Sequence, residues 1–512
     1  MKTMKRIMAL TLSVLMMFSL AACSKGNNET QVVANGDAAS SADVVANGDA
    51  ANDTPGSVTK VHNNVIEIGT WWTQHYDSND TSVEDNPDYL NAIDQEGDTE
   101  ETKKINAVNR AQMEARFAHV AEVEQKYNVK YYWKNLTYSG VEESINTSIL
   151  AGSPDCDIYL VDSPMAFPAQ ANGLAIDLRT FVPADHDIFN DQIVASFIDL
   201  GDGKACLIKR QGGMTNTYPL AFNVQMLEDN NLEDPRDLWA RGEWTWAKFD
   251  EYCKILTQDT DGDGQVDQYG FSGFATDTLE QLLMSNGATI ASGTTTTITD
   301  SKVAEALQQL QDMYTTYNYC YPYDIGGENA HETMRFAYKE GKSGFFPISC
   351  WFHTEGTADY DWDGSLGSDT LNFDIAYVRW PVGPSGNKDT NAAMNDTGAE
   401  LYIIPAGVQE PDVVFNTLFD SWNWYDYDIS KRDDPASFNW WITANGREKE
   451  YQDANFACQQ DCMAHSEVDL WQSLGFYYDL DSIVDGAMTP AQWQETYKQQ
   501  VQDGLDAVFG NK

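Results

Sequence analysis

Positive charge is what this chain has least of. Its 512 residues carry 32 Lys and Arg against 79 Asp and Glu, a formal net charge of −47 at pH 7, and only 7 His. Without a basic excess nothing displaces counterions from a phosphate backbone, which excludes nucleic acid as a partner. An anionic solute held in a broadly basic cleft is excluded on the same ground. After the first 20 residues no apolar run approaches the ~20 residues a membrane span requires. Any transport role therefore needs partner subunits. No Gly-x-Ser-x-Gly elbow, His-Glu-x-x-His pair or phosphate loop occurs, so esterase, zincin and nucleotidase readings fall away. Aromatic residues, by contrast, are plentiful: 15 Trp, 25 Tyr and 21 Phe supply surface that a folded body must bury. A single core rarely grows beyond ~250–300 residues, so two or more lobes are expected.

The N-terminus reads as an address. Lys2, Lys5 and Arg6 precede an apolar stretch from Ile7 to Leu20, the pattern of an export signal. It ends in Leu20-Ala21-Ala22-Cys23, which resembles a bacterial lipobox. In that reading residues 1–22 are removed and Cys23 carries the lipid; an ordinary signal peptide beside a chance Cys is the plainer alternative. From Ser24 to about Lys60 there is no hydrophobic period, and Val32–Ala39 is repeated as Val44–Ala51. Such a segment buries too little to offset its chain entropy, so residues 23–60 are expected to be a flexible leash. The expected location is the extracellular face of the bacterial cell membrane, with lipid as the only attachment. The other seven cysteines are an odd number without framework spacing, so extensive disulfide stapling is not implied. Cys458, Cys462 and His465 fall at helical spacing, as either an incomplete metal cluster or neighbouring buried thiols.

The body alternates strand and helix. Val65 to Trp72 reads as a strand, and Met113, Phe117, Val120 and Tyr127 mark one helical face. Val129–Trp133 reads as a second strand; Val141, Ile145 and Ile149 mark a second helix. Ile158–Val161 is an unbroken apolar run, as in a parallel strand covered on both faces. This order predicts an open α/β sheet with right-handed crossovers, whose ligands bind beyond the carboxyl ends of the strands. Further helices are predicted from Thr245 to Leu256, after Asp300 or Ser301, and from Pro411. Strands are predicted from Ser343 towards Trp351 and at Leu401–Ile404.

Several pieces, in this order, carry a resemblance. They are the lipobox; Ala151-Gly152-Ser153-Pro154-Asp155 leading into Asp157–Leu160; Gly173-Leu174 with Asp177-Leu178; and Tyr218–Asn223. Gly242-Glu243-Trp244-Thr245-Trp246, the stretch Asp259–Phe271, Gly383–Gly386 and Thr489-Pro490-Ala491 complete them. Together they resemble extracellular solute-binding proteins of ABC sugar importers, the group that includes maltose- and multiple-sugar-binding proteins. The resemblance implies a two-lobed periplasmic-binding-protein-like fold of type II, with hinge crossings and a ligand cleft between the lobes. It places a first lobe at about 60–213 plus 395–450 and a second at about 214–394 plus 451–512. It also implies a monomer that hands its solute to ABC permease subunits, and no catalysis. The loop after Trp72, about Gln74 to Glu101, is longer than the family pattern.

A carbohydrate offers apolar C–H faces and a rim of hydroxyls, so rings and carboxylates are the side chains to look for. Trp71, Trp72 and Tyr76 follow the first strand, with one Trp expected to pack under the loop. Asp162 and Ser163 follow the third strand, where relatives place hydroxyl-binding groups; a helix N-cap suits the same residues. Asn216, at the implied crossing, and Trp351 match sugar-contacting positions of relatives, against hinge or core packing; Tyr477 could also line the cleft. Asp259, Asp261, Asp263 and Asp267 copy the start of an EF-hand loop with Gly264 at its sixth position, but Gly270 stands where the bidentate Glu belongs. The alternatives are a structural calcium and a solvated acidic turn; no cofactor is required. Rival functions are a secreted carbohydrate-cleaving hydrolase, which needs two carboxylates ~5–9.5 Å apart, and a surface glycan-capturing adhesin.

Overall fold

The computed structural model describes residues 64–71, 82–85, 89–90, 92–95, 100–191, 194–195, 197–198, 203–210, 218–322, 330–347, 373–389, 391, 401–428, 449–466 and 480–509. Met1–Pro55, with the expected signal and Cys23, lies wholly outside them.

β1 (Val65–Thr70), β2 (Lys130–Asn135) and β3 (Ile158–Val161) alternate with α1 (Glu100–Tyr127), α2 (Tyr138–Ser148) and α3 (Ser163–Ala171). β1 pairs in parallel with β2 and with β3, Ile68 facing Trp133 on one side and Ile158 on the other. β4 (Leu207–Lys209) and β11 (Leu401–Ile403) complete a sheet of order β2-β1-β3-β11-β4, with β11 antiparallel to both neighbours. Every residue of β3 is buried because both faces are covered. Ile158 and Leu160 join Ile66, Ile68, Val123 of α1, and Val414 and Leu418 of the helix Pro411–Ser421. Tyr159 and Val161 join Val141 and Ile145 of α2 and Phe167 of α3. A Cβ on Gly69 would lie 2.9 Å from the Tyr159 ring, so β1 carries glycine where that ring crosses it.

The second sheet is mixed. β5 (Leu220–Asn223), β6 (Tyr269–Phe271), β9 (Ser343–Pro347) and β10 (Ile375–Val378) stand in the order β10-β5-β9-β6; β7 (Ala291–Ser292) and β8 (Thr295–Thr296) form a separate hairpin. β6 runs parallel to β9, and β5 antiparallel to β9 and β10. The carboxyl ends of β6, β9 and β10 therefore share one edge. Side chains alternate along these strands. Phe345, Ala376 and Val378 enter a core with α4 (Trp246–Leu256), α5 (Ala275–Ser285) and α6 (Ser301–Thr315). Phe346, Ile375 and Tyr377 enter another with Met334 and Tyr338 of α7 (Ala330–Lys339). Thr245 caps α4 and Asp300 caps α6, each accepting a backbone N–H of the first turn. The free edge of β10 is covered by Asn455, whose Oδ1 accepts from Tyr377 N and whose Nδ2 donates to Ile375 O, both at 2.8 Å.

The helix α10 (Pro490–Phe509; α8 denotes Pro411–Ser421 and α9 Lys449–Ala464) ties the two layers together. Phe509 meets Phe167 of α3 edge-on at 5.8 Å, while Trp493 and Leu505 are fully buried in the core shared with α6. Much of the aromatic content is core: Trp244 and Trp380 are at most 2% exposed, and their indole N–H groups donate to Arg379 O and Tyr218 O. Cys156, Cys206, Cys253, Cys320, Cys458 and Cys462 are free thiols. The bond with Cys462, together with burial, pushes the Cys458 thiol up, and His465 turns its Nδ1 to Asp461 O at 2.8 Å. Among the described residues these groups do not gather around a common point as metal ligands; the acidic loop alone does.

Candidate functional site

The exits of β1, β2 and β3 bring together residues far apart in sequence. Trp71 follows β1, half-buried against both apolar clusters of the first sheet. Its ring meets that of Tyr138 edge-on, centroids 5.2 Å apart. Tyr138 opens α2 just beyond β2, after Thr137, whose hydroxyl accepts from Gly140 N as the N-cap; the Tyr138 side chain is exposed. The Tyr138 hydroxyl donates to Asp162 Oδ2 at 2.6 Å. Asp162 Oδ1 accepts from Met165 N at 3.1 Å, which makes Asp162 the N-cap of α3. Burial pushes the Asp162 carboxyl above its ordinary value, and the bonds from Tyr138 and Met165 only partly oppose it. A partly desolvated carboxylate thus stands beside the Tyr138 ring, which in turn meets Trp71, at the edge where ligands of open α/β sheets bind. Ser163, next in the chain, is 3% exposed inside the first turn of α3.

Of the residues singled out from the sequence, Trp71 and Asp162 meet here through Tyr138. Trp72, Tyr76, Asn216, Trp351 and Tyr477 lie outside the described residues. Tyr138 was missed although a signal existed: it follows the second strand as Trp71 follows the first and Asp162 the third.

The acidic loop sits apart, between α4 and β6. Asp259, Asp261 and Asp267 can bring one carboxylate oxygen each within 4.8 Å of the others; Asp263 does not join them. Their oxygens already accept donors of the loop: backbone Gly262 N and Gly264 N on Asp259, Asp263 N on Asp261, and Thr260 N together with the Thr260 hydroxyl on Asp267. The Thr260 bonds hold the Asp267 carboxyl below its ordinary value. Gly270 explains the missing Glu. A Cβ there would lie 2.4 Å from the Cys253 backbone, so packing of β6 on α4 forbids any side chain at that position.

A pocket of about 270 Å³ between α1 and α8 is lined by His119, Glu122, Val123, Lys126, Asp420, Asn423 and Tyr427. It lies on the helices covering the first sheet, away from the strand exits. Its carboxylate is occupied: Lys126 and Tyr127 donate to Asp420 Oδ2 at 2.6 Å, and Tyr427 to Oδ1 at 2.7 Å.

Residues 113–416 match the model of the bacterial extracellular solute-binding protein family. No curated relative matches the chain. The solved structures that share its fold include three bacterial proteins. UspC of M. tuberculosis is 12% identical, the match covering 87% of this chain and 100% of that one at a TM-score of 0.55. The maltose/maltodextrin-binding domain MalE of Bdellovibrio bacteriovorus, bound to maltotriose, is 14% identical over 86% and 99%, with a TM-score of 0.51. The GacH receptor of Streptomyces glaucescens, solved unliganded and with acarbose, is 12% identical over 86% and 98%, with a TM-score of 0.52. At such identities the likeness speaks for the two-lobed α/β fold alone.

Proposed function

Because the chain belongs to the bacterial extracellular solute-binding proteins, a family that acts outside the cytoplasm, we propose that it captures a carbohydrate, most simply an oligosaccharide, and delivers it intact to the permease of an ABC importer. The observation that carries this reading is the cluster of Trp71, Tyr138 and Asp162 at the strand exits. Flat rings match the C–H face of a sugar, and a desolvated carboxylate accepts strongly from its hydroxyls. MalE of Bdellovibrio and GacH were solved with maltotriose and acarbose, respectively, ligands that present such faces and hydroxyls.

In this reading the lobes close on the solute, and closure is driven only by how much better the closed form binds it. Lipid on Cys23 and the leash through residue 60 keep the receptor beside its permease. The acidic loop holds at most a loose calcium, since its strongest ligand position is Gly270. The test is incubation with a panel of oligosaccharides. A matching one should raise the melting temperature and keep its chain length on chromatography. Shortened products would replace this reading with a hydrolase. Binding that no permease-bearing vesicle can draw on would favour an adhesin.

A further inference from the structure

We propose that Asp162 selects a solute carrying an ammonium group, so that the captured carbohydrate is an amino sugar; this rests on the carbohydrate reading of the same site. Asp162 is a carboxylate with neutral partners. Oδ2 accepts from Tyr138 Oη at 2.6 Å and Oδ1 from Met165 N at 3.1 Å. An ionised carboxylate offers about four acceptor positions, so about two remain open. Among the described residues no cationic side chain pairs with Asp162. The charged side chain that acts on it is a second carboxylate, Glu142, exposed on α2.

Solvent reaches this group. Tyr138 is 45% exposed, and Trp71 and Asp162 are both partly exposed. The Trp71 and Tyr138 rings stand at 78° to each other and form a corner, with Asp162 at the hydroxyl end of its Tyr138 side. Such rings accept the C–H face of a sugar, and their faces also attract a cation. An amino sugar brings both surfaces on one small body.

What the site lacks is positive charge. A solute that covers Asp162 removes the water still solvating it. A neutral sugar would then leave a full negative charge facing neutral donors, and a buried charge without a counter-charge is costly. An ammonium balances that charge while filling the open acceptor positions with charge-assisted bonds. Burial and Glu142 already push the Asp162 carboxyl above its ordinary value, so the shortage exists before the solute arrives. The field of a chain with net charge −47 acts in the same direction, favouring a cation over an anion.

The test uses the full chain, wild type and Asp162→Asn, in titration calorimetry with matched sets of sugars. The probes are glucosamine and galactosamine, free and as short oligomers, each beside its hydroxyl and N-acetyl counterparts. The wild type should bind at least one amine about 10-fold more tightly than both counterparts. In Asp162→Asn that preference should fall to about twofold or less. A preference that the variant keeps in full overturns the proposal. Should the variant fail to fold, the wild-type sets decide: a preference for the amine supports the proposal and its absence overturns it. A wild type that binds neutral saccharides as well as or better than every amine overturns the proposal and leaves the carbohydrate reading intact. A wild type that ignores amino and neutral sugars alike overturns both.

Discussion

Replacing Asp162 by Asn separates two tasks of one carboxylate. Oδ1 caps α3 through Met165 N, and Oδ2 accepts from Tyr138 Oη. Asn and Asp are equivalent N-caps, so the cap should change by no more than a few tenths of a kcal/mol, about 0.3. The Tyr138 hydroxyl can accept from the new amide instead of donating. Burial pushes the Asp162 carboxyl up, so its charged form is held less well in the folded protein than in the unfolded one. The sign follows: the contribution is fully present below the unfolded value of 3.8 and is lost as pH rises through the higher folded value. Asn has no charge to desolvate, so the variant should be as stable as the wild type at about pH 7, or more so, and its stability should vary less above about pH 4. Affinity should respond differently. A hydrogen bond to a charged acceptor contributes about 1.5–3 kcal/mol against about 1 for a neutral one, so the variant should bind its sugar about 3- to 30-fold more weakly. Urea melts at several pH values and calorimetric titration give both quantities. A variant that loses more than about 2 kcal/mol of stability while keeping its affinity would refute the reasoning, leaving Asp162 as a helix cap alone.

Gly270→Ala forces a methyl group against the Cys253 backbone and should destabilise by about 3 kcal/mol or more, since backbone cannot yield as a side chain can; chemical denaturation measures it. Chelating calcium should lower the melting temperature by no more than about 1 °C, because a site without the bidentate acid is millimolar at best and contributes about 0.4 kcal/mol near 1 mM ion. A larger drop in differential scanning fluorimetry would show a completed site. Burial raises the Asp420 carboxyl, but the bonds from Lys126, Tyr127 and Tyr427 outweigh it and leave it below 3.8. Its contribution is therefore present above that value and lost as pH falls through the folded one. Asp420→Asn should cost about 1–3 kcal/mol at neutral pH, discounted for the exposed Lys126, and much less in acid; a deficit constant between about pH 3 and 7 would contradict this.

Much of the element order was legible because the signals are local. Ile158–Val161 announces a strand buried on both faces, and Thr245 and Asp300 announce helix starts; the structure has β3, α4 and α6 there. Leu401–Ile404 read as a strand, but nothing in those residues says that β11 inserts antiparallel between β3 and β4. α1 begins at Glu100, well before Met113, because its first turns carry few apolar residues to mark a face. The ring count implies surface to bury, and Trp244, Trp380 and Trp493 are buried core, but the count does not say which rings reach an edge. The exits of β1 and β3 point to Trp71 and Asp162, and the exit of β2 carries Tyr138 in the same way.

The sequence by itself determined the α/β rhythm, the family and the acidic, aromatic character, all of which are written in short-range periodicity and motif order. Only the tertiary structure decided the order of the strands, which rings are core and which reach an edge, and that Tyr138 touches both Trp71 and Asp162. Contacts between distant residues depend on how whole layers pack, as when Tyr127 and Asp420 meet across 293 positions, and a linear pattern carries no measure of that geometry.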